Sequence, residues 1–460
     1  MDQPDLSALR ERIGGTLVLD GDPGFDDARR IWNGMIDRRP VAVLRVASVD
    51  DVVAALAFAR EASLSVAVRG GGHNVAGNGS VDAGLVIDLG GLASVEVDAG
   101  ERTVRVGGGA RLGDVDRATA EYGLAVPLGV VSRTGVAGLT LGGGVGWLLR
   151  AHGLSIDSLL SADVVTASGT LVRASARENP DLFWGLRGGG GNFGVVTSLT
   201  FRAHPIPAPV FAGNLIYRPD HWRQALLAFD EWGRTLPDEL TAIATFIVPP
   251  PDWELGADPL LLVGFAWSGA DAAAGEAAIE PLRREAPPDL EAIEPMTWPQ
   301  WQSAVDDTFP FGVRAYWKNT SFDRLDEEVA DVLVRRALEQ TWQGTGFDIH
   351  LMGGAFARVP EGDTAFPARS ARYWLNIYGF WANESDDADR IRFVRGFADD
   401  MAGFSSGGQY VNFMAAEDPA PAGVAPAPVY GEETLRRLGA VKASWDPDNV
   451  FRLNHNILPG

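Results

Sequence analysis

Through the first two hundred residues the apolar positions fall into short β-like blocks interrupted by a few helical periods. Residues 41–47 read as a strand, Ser48 caps a helix over 49–62, and residues 64–68 form the next strand, giving a βαβ unit that runs directly into three glycines. Ahead of it, residues 26–32 carry a short helical pattern that Arg38-Arg39-Pro40 breaks. Behind it come β-rich blocks at 85–89, 94–98 and 103–106, a helix near 112–122, a strand at 162–167, a helix opened by Asn179-Pro180 and an alternating strand at 195–201. This order predicts a mixed sheet rather than a doubly wound one.

After Pro205 glycine thins out, and longer apolar strands alternate with amphipathic helices. Strands are predicted at 210–217, 240–248, 260–267, 347–359 and 374–381, with helices at 222–235, within 270–284 and at 325–340. Tyr316 and Lys318 mark one further candidate strand. The two-residue period puts Asp348, His350 and Met352 on one side of their strand, and Trp374, Asn376, Tyr378 and Phe380 on one side of theirs. A proline- and alanine-rich loop at 416–429 precedes a last helix at 431–444. The whole reads as α+β, its second part a mainly antiparallel sheet covered by helices on one face.

Charge and composition narrow the partners. With 39 basic against 61 acidic residues among 460, the net charge of −22 disfavours nucleic acid or an anionic membrane as a partner, since either needs a basic face. No run approaches the ~18 apolar residues of a membrane span, and residues 1–7 lack a signal-peptide pattern, so a soluble, cytoplasmic protein is expected. The absence of cysteine excludes disulfides, thiolate metal sites, a cysteine nucleophile and a cysteinyl cofactor link. No His, Asp or Glu grouping has metal-site spacing, and no metal is expected.

The chemistry gathers at glycine-rich turns. Arg69-Gly70-Gly71-Gly72-His73-Asn74, continuing to Gly77, leaves the backbone bare where N–H groups can converge on a pyrophosphate, with an imidazole beside it. Taken alone, the same stretch fits a surface turn equally well. A second run, Gly129 to Trp147, holds Ser132, Thr134, Gly135, Gly138, Thr140, Gly144 and Gly146. It implies a backbone pressed against something flat or phosphorylated, or else a tightly packed core crossing. Glycines 188–191 form a third such turn, ahead of Val196.

Together with Lys442–Ile457, these three motifs resemble the FAD-binding domain of the vanillyl-alcohol oxidase/p-cresol methylhydroxylase superfamily, in its berberine bridge enzyme-like branch near 6-hydroxynicotine oxidase-type and polyketide-tailoring members. The resemblance implies a two-part FAD-binding domain at 1–205 and 406–460, with a substrate-binding domain at 206–405 between them. It assigns His73 as the residue bonded to the flavin 8α-methyl, Arg69–Gly77 to the pyrophosphate, Gly129–Gly146 and Val196 to the cofactor surface, and Asn412, Asn454 and Asn456 to late flavin-side contacts. It also implies that 442–457 returns to the flavin as a strand and loop, and that Thr134 gates oxygen.

Two positions depart from the family. Val131 stands where relatives carry a second, cysteinyl link, so a single link is implied; Phe413 ends Tyr410-Val-Asn412-Phe413 where relatives have a catalytic tyrosine. The base must then come from Tyr316, His350, Tyr378 or Tyr410, with His350 or Tyr378 in front. The resulting expectation is an oxidase that passes hydride from a small aromatic, alkaloid, sugar or polyketide-like substrate to FAD and then electrons to O2. The alternatives are an oxygenating tailoring enzyme and a flavin-binding protein without turnover.

Overall fold

The computed structural model describes residues 5–416 and 427–460, so most of the expected proline- and alanine-rich loop lies outside the described residues. Two small sheets, built from strands between Thr16 and Arg202, and a two-stranded ladder of Leu124–Ala125 with His204–Pro205 accompany one large sheet. The first runs Thr16–Leu19, Ala42–Arg45, Leu85–Asp88, Val66–Arg69, and is mixed. Leu85–Asp88 thus slots between the two strands of the expected βαβ unit and pairs parallel with both. Their crossover helix, Val49–Glu61, begins as expected: the Ser48 hydroxyl accepts from Asp51 N–H, and the Asp51 carboxylate reaches back to the N–H groups of Ala47 and Ser48. The second sheet is antiparallel, in the order Val95–Asp98, Thr103–Gly107, Val195–Arg202, Leu159–Val165, Leu171–Ser175.

The large sheet has seven antiparallel strands: Leu290–Ile293, Phe211–Tyr217, Leu260–Trp267, Leu240–Ile247, Gly346–Leu351, Tyr373–Trp381 and Arg314–Phe322. Helices Trp222–Gly233, Ala272–Glu285, Glu327–Glu339 and Asp387–Met401 cover one face, where Trp222 meets Phe246 and Phe397 meets Phe347 edge-on. Because side chains alternate along a strand, the neighbours Thr245, Asp348 and Asn376 turn to the other face. Among the described residues, no helix is long and apolar enough to cross a membrane.

Several expected elements are revised. The strand predicted at 347–359 stops at Leu351, because Gly353 and Gly354 take positive φ and Arg150 donates to Met352 O at 2.5 Å; Ala355–Arg358 is then helical. The early helix is only Phe25–Arg29, leaving Trp32 in a bend beyond it. Several helices carried no expectation, among them Val136–Gly142 inside the glycine run, Trp298–Ser303 and the charge-dense Asp387–Met401. Nor do residues 446–460 form the expected strand.

That tail is instead pinned from below. Helix Glu432–Trp445 packs on Pro180–Leu186 and presents Lys442, which is fully buried. Its ammonium donates to Asp446 at 2.6 Å, Asn192 O at 2.7 Å and Phe451 O at 3.0 Å, while Asp446 accepts from the N–H groups of Val450 and Phe451. Removing one partner of a buried pair strands the other charge, so Lys442→Ala should cost about 3–5 kcal/mol. Thermal denaturation of the two proteins would read this loss, and an unchanged midpoint would contradict it.

Candidate active site

Strand Val66–Arg69 delivers the first glycine turn to a deep cavity, and the second turn reaches the same place because the two backbones touch. A Cβ on Gly71 would lie 2.4 Å from Gly135 N, and one on Gly135 would lie 2.3 Å from Gly71 N. Only glycine fits at either position. The N–H groups of Gly71, Gly72, His73 and Asn74 find no acceptor among the described residues, which leaves a run of donors suited to phosphate oxygens. Arg69 contributes rigidity rather than charge. Its guanidinium is held by Asp88 at 2.7 Å and by Ala28 O at 2.6 Å.

His73 lines the cavity with its ring stacked on Trp32, centroids 4.7 Å apart and planes 20° from parallel. Its Nε2 has no hydrogen-bond partner. Burial, helped by the positive charge of Arg111, lowers its pKa to about 4, so the imidazole is neutral near pH 7. A neutral imidazole keeps a lone pair for bond formation.

The uncovered face of the large sheet supplies the other wall. Asp348 accepts from Thr245 Oγ1 at 2.9 Å and Tyr378 OH at 3.2 Å, both on Oδ1, and Asn376 adds a further bond. Burial outweighs these donors and pushes the carboxyl up to about 6. His350, two residues on, is lowered to about 4 by burial alone, and its Nε2 is unpartnered. Phe309, Trp317 and Phe413 give this wall an aromatic surface.

The four expected catalytic side chains separate. His350 and Tyr410 line the cavity. Tyr410 OH accepts from Gly144 N–H at 2.9 Å and Asn412 Nδ2 at 2.8 Å, yet burial pushes its pKa up to about 12. Tyr378 lies behind the lining, spends its hydroxyl on Asp348, and is driven well above its ordinary value. Tyr316 is misplaced by one step of the strand period: it sits under helix Asp387–Met401, accepting from Arg395 Nε at 2.9 Å, while Trp317 faces the cavity. The sequence reading put Asp348 on the correct face but gave it no role.

Of the expected cofactor contacts, Gly70 to Asn74, Gly129, Thr134, Gly135 and Gly138 line the cavity, as do Arg69, Val196, Asn412 and Asn454. The others stand back from it. Ser132 is tied through its N–H and hydroxyl to Asp306, Gly77 abuts Ile36, and Thr140 is buried in helix Val136–Gly142. Gly144 and Gly146 are packing glycines, where a Cβ would strike Ser155 Oγ at 2.0 Å and Leu128 O at 1.7 Å. Asn456 is buried beside the lining. His455 does line it, with Nε2 3.1 Å from Val411 O; its place in the tail motif was the only sequence signal for it.

A cavity with a donor cradle, glycine surfaces and a neutral imidazole suits a phosphorylated, planar cofactor. Comparison with known proteins agrees. Residues 40–175 match the family described as FAD binding domain, and residues 409–458 match the one described as berberine and berberine like. The chain is 31% identical to the FAD-linked oxidoreductase OXR1 of Pyricularia oryzae over 471 residues, covering 96% of this chain and 88% of that one. The 6-hydroxy-D-nicotine oxidase of Arthrobacter nicotinovorans superposes with a TM-score of 0.84 at 26% identity, over 97% of this chain and 98% of that one. Glucooligosaccharide oxidase from Acremonium strictum, described with a 6-S-cysteinyl, 8α-N1-histidyl FAD, shares the fold at a TM-score of 0.86 and 24% identity, over 99% of both chains. The chain therefore belongs to the FAD-linked oxidoreductases of the berberine bridge enzyme-like family.

Proposed function

We propose that this enzyme oxidises a small organic substrate at a C–H bond, with FAD held covalently by His73 and with O2 as the electron acceptor. The observation that carries the reading is a carboxyl group poised near neutrality, Asp348, on the same cavity as a neutral imidazole, His73. FAD bound there would supply the hydride acceptor and the path for two electrons to O2, with hydrogen peroxide as the product. Everything else falls to the chain. The division into 1–205 with 406–460, and 206–405, follows the same reading: the first pair holds the cofactor and the middle part holds the substrate.

Asp348 removes the proton that the substrate loses alongside its hydride. Thr245 and Tyr378 both donate to Oδ1, Asn376 adds a third bond, and above about pH 6 the carboxyl is ionised. Asp348 suits the base role better than His350, whose burial makes it a weak base, or Tyr378 and Tyr410, whose hydroxyls are held protonated. His350 is left to orient a polar group of the substrate. Phe309, Trp317 and Phe413 favour a substrate with a flat apolar body. Thr134, lining the cavity, is the proposed side chain beside the oxygen route.

Covalent attachment is testable directly. Relatives with two links use a cysteine for one of them, and this chain has none, so His73 is the single point of attachment. Acid-precipitated protein should stay yellow and yield one flavin-bearing peptide containing His73, whereas His73→Ala should release all its flavin and show a lower flavin potential. Complete release from the unmodified protein would refute the link.

The base assignment predicts a pH dependence. Protonation removes the base, so the rate of anaerobic flavin reduction should fall as pH drops through about 6 and level off above it. Asp348→Asn should lower the plateau by roughly 10²–10⁴ and abolish that limb, while His350→Asn should keep it. Stopped-flow absorbance separates the cases, and a limb that survives in Asp348→Asn would sink the assignment.

A further inference from the structure

The segment joining helix Phe25–Arg29 to the first sheet passes directly over the glycine turn. Trp32 is 1% exposed and lies flat against the His73 ring. Its own freedom is removed from three directions: its N–H donates to Gly72 O at 2.9 Å, its carbonyl accepts from Gly312 N–H at 2.8 Å, and its indole N–H donates to Phe309 O at 3.2 Å. The next residue grips the far side of the histidine. Asn33 Nδ2 donates to Val75 O at 2.7 Å and Ala315 O at 3.0 Å, and its Oδ1 accepts from Ala315 N–H at 3.1 Å. Gly72 and Val75 bracket His73, so this dipeptide holds the turn on both sides of the imidazole. It also fastens the turn to strand Arg314–Phe322 of the large sheet.

We propose that Trp32, anchored through Asn33, is a positioning residue that fixes the His73 imidazole for attachment to FAD. The inference rests on the reading of His73 as the attachment residue. Attachment breaks one C–H bond of the flavin 8α-methyl and one imidazole N–H bond, forms one C–N bond, and releases two protons and two electrons. The electrons leave through the flavin to O2, which becomes hydrogen peroxide with the two protons. For the nitrogen to reach that carbon, the ring must hold one orientation, and a bond-forming step is steeply sensitive to such alignment. The Trp32 ring supplies it on one face. It also excludes water from that face, which is part of why the imidazole stays neutral.

Trp32 in turn packs against Trp317 and Phe380, with centroids 5.7 Å away in each case. Both belong to strands of the large sheet, so the alignment of the attachment residue depends on that sheet being folded in place. Cofactor attachment is thereby tied to completion of the substrate wall. A cofactor bound to the glycine turn alone would meet a histidine free to rotate.

The test is the rate of covalent incorporation when full-length apo-protein from riboflavin-starved cells is mixed with FAD in air. Incorporation is followed as acid-precipitable flavin, and total binding as quenching of FAD fluorescence. Trp32→Leu should bind FAD to the same final occupancy but incorporate it about tenfold or more slowly. Trp32→Phe, which keeps a stacking ring, should stay within about threefold of the unmodified protein on the same argument. Should Leu at this position prevent folding, Trp32→Met fills more of the slot without a planar ring and carries the same expectation. Incorporation at the unmodified rate in Leu or Met, or equal slowing in Phe and Leu, overturns the role of the stack. Freely extractable flavin in the unmodified protein overturns the reading of His73 together with this inference, whereas the former outcomes overturn this inference alone.

Discussion

No side chain can stand between Gly71 and Gly135, and the architecture of the site follows from that contact. Two turns about sixty residues apart in sequence meet backbone to backbone, so one face of each is left to line a common cavity. A methyl group at either position would have to push the turns apart. The donor run at 71–74 and the surface near Gly138 would then belong to separate grooves. The strut Arg69–Asp88 sits immediately behind this contact, and its buried charge is compensated by a carboxylate and a carbonyl.

Desolvation does the remaining chemical work. The same exclusion of water that makes His73 and His350 neutral raises Asp348 toward neutrality, because burial penalises whichever form is charged. One cavity thus holds two weakened bases and one strengthened one. Around Asp348, Thr245 and Tyr378 donate without carrying charge, which moderates the shift without erasing it.

Much of this was legible in the sequence where the signal is local. The Ser48 cap, the strand at 260–267, the glycine turn with His73 and the antiparallel character of the second half all depend on short-range spacing, and they appear as read. What failed depends on partners far along the chain. Tyr316 and Trp317 differ by one residue and therefore by a whole face of the sheet, and only the register against Gly379 and Tyr378 decides between them. Gly144 and Gly146 look like cofactor glycines until Ser155 and Leu128 are placed beside them. Trp32 shows no local sign of chemistry at all, since its stacking partner is forty residues away and its anchors lie near residues 309–312.

The buried ammonium of Lys442 imposes an order of events during synthesis. Its three acceptors come from Asn192, Asp446 and Phe451, so the loop at 192 is fastened only after a stretch two hundred and fifty residues later has been made. Until residues 442–451 leave the ribosome, one side of the cavity has no floor, and Asn454 and His455 are not yet there to line it. A growing chain can fold its first sheets, and even expose the glycine turn, long before it can enclose a flavin. The last fifteen residues of the chain thus complete a wall whose first residues were made at the other end of the sequence.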